Sequence, residues 1–469
     1  MASSWTTSEP TPAWELLLPA ASGPVRGRGR ELGNALRAAV RGGRLAAGTR
    51  LPSSRDLARD LRVSRGVVSE LYARLTAEGY LTSRQGAGTW VAAIAPTAPP
   101  SPSRPLPVPP PAVDFRPGLA DLAAFPRAAW SAAQRAALAG LPDAALDYPD
   151  PQGLPALREA LAELLSRRRG VVVAPEGLIV CAGVAQALTL LGRVLAGRGH
   201  DTVAVEDPGS VSVDPLHRAA GLRPVPVRVD GEGIDVGALH DSGARVAVVT
   251  PAHQFPTGVV HSPARRAALL AWAGDCHGLV VEDDYDGDFR YDRAAIGALQ
   301  GLAPELVAYT GSVSKSLAPG LRLGWLVPPG ELLPELVEAK RVSDLGSSVI
   351  EQAAFAGFLR DGRYDRQLRL CQRRYRERRD ALIDALAAVL PEVRTSGIAA
   401  GLHLIAEFPY PVAPELCVRA GVRLRLLSDY TASGAPDRRR FVLGYAHLTA
   451  TEITRAVKRL AEVLRSVAV

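Results

Sequence analysis

Residues 311–325 read GSVSKSLAPGLRLGW and follow directly on the apolar run LVAYTGS at 306–312. The run predicts a buried strand, and the Gly-Leu-Arg-Leu-Gly stretch predicts a tight turn after it. Lys315 stands between two serines inside this strand-turn context. The chain holds only three lysines among its 55 basic residues, and this is the one set among apolar residues and glycines. An amine that attacks a carbonyl must be partly desolvated, so that it can lose its proton, and must lie near whatever anchors the carbonyl compound. Ser312, Ser314 and Arg322 supply two hydroxyls and a fixed guanidinium within reach in sequence, a donor set suited to a phosphate dianion. An amine beside a phosphate anchor is what an internal Schiff base with pyridoxal phosphate requires, and Lys315 is the expected attachment point.

Two upstream stretches fit the same cofactor. VEDDYDGDF at 281–289 follows an apolar run, and a carboxylate there would keep the pyridine nitrogen protonated and make the ring an electron sink. Asp283 is the expected carboxylate. Tyr285, two residues on and so on the same face of an extended strand, is expected to bond the ring hydroxyl. CAGVAQAL at 181–188 reads as a turn from strand into helix, where the free N–H groups of Gly183, Val184 and Ala185 suit the phosphate.

These stretches sit in a regular alternation. GLIVCAG, TVAVEDP, RVAVVTP, GLVVEDD and LVAYTGS alternate with amphipathic patterns such as LPALREALAELLSRR and SPARRAALLAWAGDC. Short, fully apolar strands between such helices predict an α/β domain with a mostly parallel central sheet.

The N-terminal part is different. GRELGNALRAAVRGG at 29–43 and LPSSRDLARDLRVSRGVVSELYARLTAEGYL at 51–81 predict three helices. The last two are separated by the turn Leu61 to Ser64, with Ser53 or Ser54 capping the first and Ser64 the second. This is a helix-turn-helix, whose second helix enters the major groove of DNA. Ser54, Arg55, Ser64, Arg65 and Val67 are the expected contacts, with Arg65 suited either to a guanine edge or to a phosphate. LTSRQGAGTWV at 81–91 reads as a wing: Gly86 and Gly88 allow its turn, and Arg84 and Thr89 complete the expected DNA contacts.

Between the two parts, nine of the sixteen residues from Pro96 to Pro111 are proline. Such a run favours extended polyproline II and spans on the order of 50 Å. The expected organisation is therefore an extension (1–24), a winged helix-turn-helix (25–95), a linker (96–112) and a large domain with a smaller C-terminal α/β subdomain (113–469). Charge agrees: residues 1–95 carry 13 arginines against 7 acidic residues, most of the chain's net +7, so the rest is near neutral. Cys181, Cys276, Cys371 and Cys417 form no CxxC pair, which argues against a disulfide framework and a zinc site. With no long apolar run or signal-like start, a cytoplasmic protein without membrane contact is expected.

The ordered set LPSSRxLAxxLxVSRxxVxxxYxxLxxEGYLxxxxGxGTxV resembles the DNA-binding domain of the GntR family. Residues 113–469 resemble the fold-type I aminotransferases, and the combination, with YPDPQGLPALREAL, TPAHQFPTG, EDDYDGDF and SVSKSLAPGLRLGW in chain order, resembles the MocR/GabR regulators. The resemblance implies a head-to-tail homodimer in which Tyr148 reaches the partner's cofactor phosphate. It implies a transcription regulator that binds an operator through the head and a small-molecule effector through the large domain, with His253 and Asp429 facing the effector.

Two positions depart from that pattern. Where GabR-like regulators carry an arginine that clamps an effector's carboxylate, this chain reads LLSDYTA, with Asp429. Where they carry a tyrosine and a second arginine after EDPG, it reads SVSVD, with Ser210 and Ser212. Without those guanidinium groups an amino-acid effector loses its charge-assisted partners. The expected effector is then pyridoxal phosphate itself, as in the PdxR-type branch tied to vitamin B6, or an amine lacking a carboxylate; Arg438, Arg439 and Arg440 remain an alternative clamp. The rival functions are a working aminotransferase with an accessory head, and a DNA-binding protein whose large domain serves only to dimerise.

Overall fold

The computed structural model describes residues 28–84, 87–93, 112–291, 296–397, 399–432 and 436–467. The chain divides into two compact units at Val108/Pro109, within the proline-rich stretch. That stretch, the N-terminal extension and Gly86 lie outside the described residues.

The first unit holds α1 (Arg28–Arg41), β1 (Arg50–Leu51), α2 (Ser54–Asp60), α3 (Arg65–Ala77), β2 (Leu81–Arg84) and β3 (Gly88–Val91). Ser53, not Ser54, caps α2 by accepting from Asp56 N–H at 3.2 Å, and Ser64 caps α3 by accepting from Val67 N–H at 3.4 Å. Leu32, Leu36, Leu57, Val68, Leu71 and Leu75 recur at helical spacing and close one core with Leu81 and Val91. The expected hairpin β2–β3 gains a third strand, β1, antiparallel to β3. Two residues are too few to leave a periodic signal in the sequence.

In the second unit, β4 (Val113–Asp114) precedes helices at Arg127–Gly140 and Pro155–Arg169. There follow β5 (Ile179–Cys181), a helix at Val184–Gly197, β6 (Thr202–Asp207), β7 (Arg223–Asp230), β8 (Gly233–Ile234), β9 (Val246–Val249), β10 (Leu279–Asp283), β11 (Val307–Ser312) and β12 (Gly324–Val327). The eight strands β5 to β12 form one sheet in the order β5-β12-β11-β10-β9-β6-β7-β8. The central strands β11, β10, β9, β6 and β7 run parallel, and β12 runs antiparallel between β11 and β5. A long helix, Arg363–Val389, leads to a smaller antiparallel sheet that includes Arg394–Ser396, His403–Glu407 and Arg440–Gly444. The expected α/β architecture with a smaller C-terminal subdomain is thus present.

This topology collects the motif residues. Parallel strands deliver their carboxyl ends to one edge, where open α/β sheets bind ligands. Asp283 ends β10, Ser312 ends β11, and Gly183 follows β5. Because β12 is antiparallel, its first residue Gly324, paired with Ser312 and Cys181, comes to the same edge and brings Arg322 with it.

Behind the edge, Arg169 holds Asp284 through Nε at 2.6 Å and a second guanidinium nitrogen at 3.1 Å, and the Tyr309 hydroxyl donates to the same carboxylate at 2.5 Å. Both side chains of the pair are under 5% exposed. Removing one partner of such a pair strands a buried charge. Arg169→Met is therefore expected to destabilise the large unit by about 3–5 kcal/mol, seen as a clear fall in its calorimetric melting temperature; an unchanged transition would contradict this role.

Candidate functional site

Lys315 is largely buried, and its Nζ donates to the Gly118 carbonyl oxygen at 2.5 Å. Burial pulls its amine below the ordinary lysine range, while Asp286 and then Asp283 oppose the shift. Desolvation of this kind is what a carbonyl-attacking amine needs.

Asp283 Oδ1 is sealed from solvent and has no hydrogen-bond partner. Burial, followed by the neighbouring Asp284, pushes this carboxyl up to about 7. An orphaned buried acceptor at the end of a central strand is a place for an N–H donor that the chain itself does not supply.

The helix at Val184–Gly197 starts without a side-chain cap, behind Gly183 at φ +90°. The Arg322 guanidinium, on a left-handed backbone at φ +51°, lies against Gly183 and donates to the Ala182 carbonyl oxygen. A Cβ on Gly183 would come 3.1 Å from Arg322, and one on Gly324 would come 2.7 Å from Gly183 Cα. Gly324 is therefore required by close approach of backbone and Gly183 by its positive φ, which the sequence pattern shows only as Gly-bracketed turns. An uncapped helix start with a guanidinium beside it suits an anion. Ser312 stands next to this cradle, its hydroxyl 3.4 Å from the Ser314 amide.

Tyr285 lies with its hydroxyl 3.0 Å from His253 Nδ1, beside Asp286, and lines a narrow cavity with Lys315. His253 is itself buried, 2.8 Å from Asp286. Asp429 is exposed and accepts from Leu426 N–H at 3.2 Å, capping its own turn. Its neighbour Tyr430 is the one that faces inward, edge-on to Phe255 with ring centroids 5.2 Å apart. Arg438, Arg439 and Arg440 are exposed, with Arg440 bound to Asp437 at 2.5 Å, so the alternative clamp fails as well.

Ser210 and Ser212 bond each other at 3.0 Å. Ser210, Phe255, Tyr430 and Asp283 line a cavity beside the carboxyl edge, and among the described residues no basic side chain lines it. Tyr148 is 79% exposed and lies with Leu345 and Val349 around a separate cavity, apart from Lys315 in this chain.

In the head, Arg55, Arg65 and Arg84 are exposed. Val67 is half-buried against the head's core. Gly88, at φ +126°, makes the wing turn, and Thr89 bonds Ser83 at 3.1 Å. Arg50 and Arg84 both stack on Trp90 at 5.9 Å from the ring centroid; Arg50 and Trp90 carry no motif signal and are found only through β1. All four cysteines are free, and no helix among the described residues is long and apolar enough to cross a membrane.

Residues 29–91 match the bacterial regulatory proteins of the gntR family, and residues 118–460 match the class I and II aminotransferases. The pyridoxine biosynthesis transcriptional regulator PdxR of Corynebacterium glutamicum is 33% identical over 414 residues, covering 87% of this chain and 89% of its own. The probable rhizopine catabolism regulatory protein MocR of Rhizobium meliloti is 33% identical over 461 residues, 92% of each chain. The chain belongs to the MocR-type family of helix-turn-helix transcriptional regulators.

The large unit of the regulator is also similar to a solved structure, the α-aminoadipate aminotransferase LysN of Thermus thermophilus, complexed with N-(5'-phosphopyridoxyl)-L-leucine. The TM-score is 0.67 at 28% identity, covering 76% of this chain and 92% of that one.

Asp283 gives a pH test on the cofactor-free regulator. Its folded carboxyl titrates at about 7 and its ordinary value is 3.8, so between these the folded state holds a proton that the unfolded chain has lost. Stability from this group therefore falls as pH rises through that window. Asp283→Asn is expected to raise the melting temperature of the cofactor-free protein at about pH 8 and to leave it nearly unchanged below about pH 4; equal effects at both ends would contradict the buried, unpaired carboxylate.

Proposed function

We propose that the regulator binds pyridoxal phosphate through Lys315 and reads the state of that site out as a change in operator binding. The observation that carries this is the meeting, at one sheet edge, of a desolvated amine, an orphaned buried carboxylate and an arginine-flanked helix start. The three features fit the aldehyde, the pyridine nitrogen and the phosphate of one molecule. When bound, the cofactor supplies an electrophilic carbon and an electron-withdrawing ring.

The side chains have separate tasks. Lys315 holds the aldehyde carbon, and Asp283 accepts from the pyridine nitrogen. Arg322, Ser312 and the N–H groups of Val184 and Ala185 hold the phosphate, with Ser314 ordering Ser312 through its amide. Tyr148 reaching the site of a second copy, in a head-to-tail homodimer, belongs to the same reading. Arg55 and Arg65 of the head, with Arg84 of the wing, bind the DNA backbone and the major groove.

Among the described residues, the cavity beside Asp283 offers an effector aromatic rings, hydroxyls and carboxylates but no guanidinium. The effector is accordingly pyridoxal phosphate itself, in keeping with the likeness to PdxR, or an amine without a carboxylate. The same absence speaks against a working aminotransferase, which must anchor its substrate's carboxylate to orient the Cα proton over Lys315. The likeness to LysN favours that rival, and a steady-state assay with several amino donors and 2-oxoglutarate decides it: sustained turnover would overturn the regulator-only reading.

Two measurements test the proposal directly. Added pyridoxal phosphate is expected to give a visible absorption band that Lys315→Ala abolishes, while calorimetry shows no specific heat with small amino acids; a specific amino-acid heat would contradict the effector class. Arg65→Ala is expected to weaken operator binding by roughly tenfold or more, about 1–3 kcal/mol, without altering the absorption band. Unchanged binding would place the recognition helix elsewhere.

A further inference from the structure

Asp286 lines a narrow cavity together with Lys315, Tyr285, Ser312 and Trp325. Its carboxylate is 1% exposed and lies 2.8 Å from Nδ1 of His253, itself 2% exposed. His253 Nε2 is also buried and has no partner. A carboxylate only accepts, so the Nδ1 proton belongs to the bond with Asp286; a second proton on Nε2 would be stranded. His253 thus pins the Asp286 carboxylate through Nδ1, which the Tyr285 hydroxyl also approaches at 3.0 Å.

The pair has no room to rearrange. A Cβ on Gly401, at φ +72°, would come 2.0 Å from His253 Cε1 and 2.8 Å from Asp286 Oδ2. Among the described residues, the titratable groups around the carboxylate include Asp283, Asp284, Tyr285 and Asp288 on its own segment, Lys315 after β11, and Tyr291 and Tyr445, whose hydroxyls both donate to the Gly401 carbonyl oxygen. His403 faces His253 with ring centroids 5.2 Å apart. The three phenols are pushed up by burial, and His403 is pushed down to about 3 by burial and then by His253, so all four are neutral around pH 7. Of the acids that act on Lys315, Asp286 acts most strongly, ahead of Asp283.

We propose that Asp286, held by His253, is the fixed counter-ion that keeps the Lys315 nitrogen protonated, first as the free ammonium and then as the imine to the cofactor aldehyde. The inference rests on the pyridoxal phosphate reading. Lys315 attacks the aldehyde as the neutral amine after giving up one proton; one C=N bond forms, the carbonyl C=O bond breaks, one water leaves and the proton returns to the imine nitrogen, so the nitrogen carries the same positive charge before and after. A carboxylate pinned in the same cavity stabilises that charge in both states, while burial alone would strip it. Asp286 is thus a positioning residue whose work is distinct from that of Asp283 at the ring nitrogen. Neither it nor His253 stands out in the sequence for this task, because EDDYDGDF offers several acids of equal promise.

The test is a pH titration of the visible band of the full-length, cofactor-loaded protein, which reads imine protonation as a change from yellow to near-colourless. Asp286→Asn is expected to lower the midpoint by about 1–2 pH units. Asp286→Glu, which disturbs packing but keeps the charge, should restore most of the difference. If Asp286→Asn does not accumulate, His253→Leu replaces it and should lower the midpoint in the same direction. A yellow variant whose midpoint equals that of the wild type would overturn the inference and leave cofactor binding intact; wild-type protein that never colours with pyridoxal phosphate would overturn both.

Discussion

The carboxyl edge of the eight-stranded sheet imposes the constraint on which the site depends, because one antiparallel strand is inserted among parallel ones. If β12 ran parallel, Arg322 would lie at the opposite edge, far from the helix start at Gly183. Reversed, β12 begins beside the ends of β5 and β11, and the contact between Gly324 and Gly183 lets the backbones approach without side chains between them. The guanidinium then lies over the uncapped helix start. Lys315 follows β11 at the same edge, and Asp283 ends the strand next to it.

Electrostatics at this edge is arranged in two tiers. Asp284 is neutralised by Arg169 and tied by Tyr309, a structural pair that anchors the segment from behind. Asp283 and Asp286, on either side of it, are left without a cation of that kind. One keeps a bare oxygen and a raised carboxyl; the other is gripped by an imidazole and faces the Lys315 cavity. Three acids within four residues thus have three environments, and environment decides what each can do.

The sequence carried the architecture and the main site far more fully than the effector region. Alternating apolar runs and amphipathic helices marked the parallel sheet, and Lys315, Arg322, Asp283 and Gly183 were legible because each lies at the end of such a run. Their neighbours were not. His253 was expected only as an effector contact, on the family resemblance, and its burial against Asp286 and Gly401 shows only in the fold. Asp429 and Tyr430 show the opposite failure: a register of one residue decides which of them faces the cavity, and a short 3₁₀ turn leaves no periodicity from which to read it. In the head, the two-residue β1 was invisible for the same reason, and with it the pairing of Arg50 with Trp90.

Everything proposed for the large unit depends on one covalent attachment. Borohydride reduction of the protein after incubation with pyridoxal phosphate, followed by proteolysis and mass spectrometry, locates that attachment. The account predicts a single phosphopyridoxyl group on Lys315, in the peptide spanning GSVSKSLAPGLRLGW. An unmodified Lys315, or label spread over Lys340 and Lys458 instead, would contradict it.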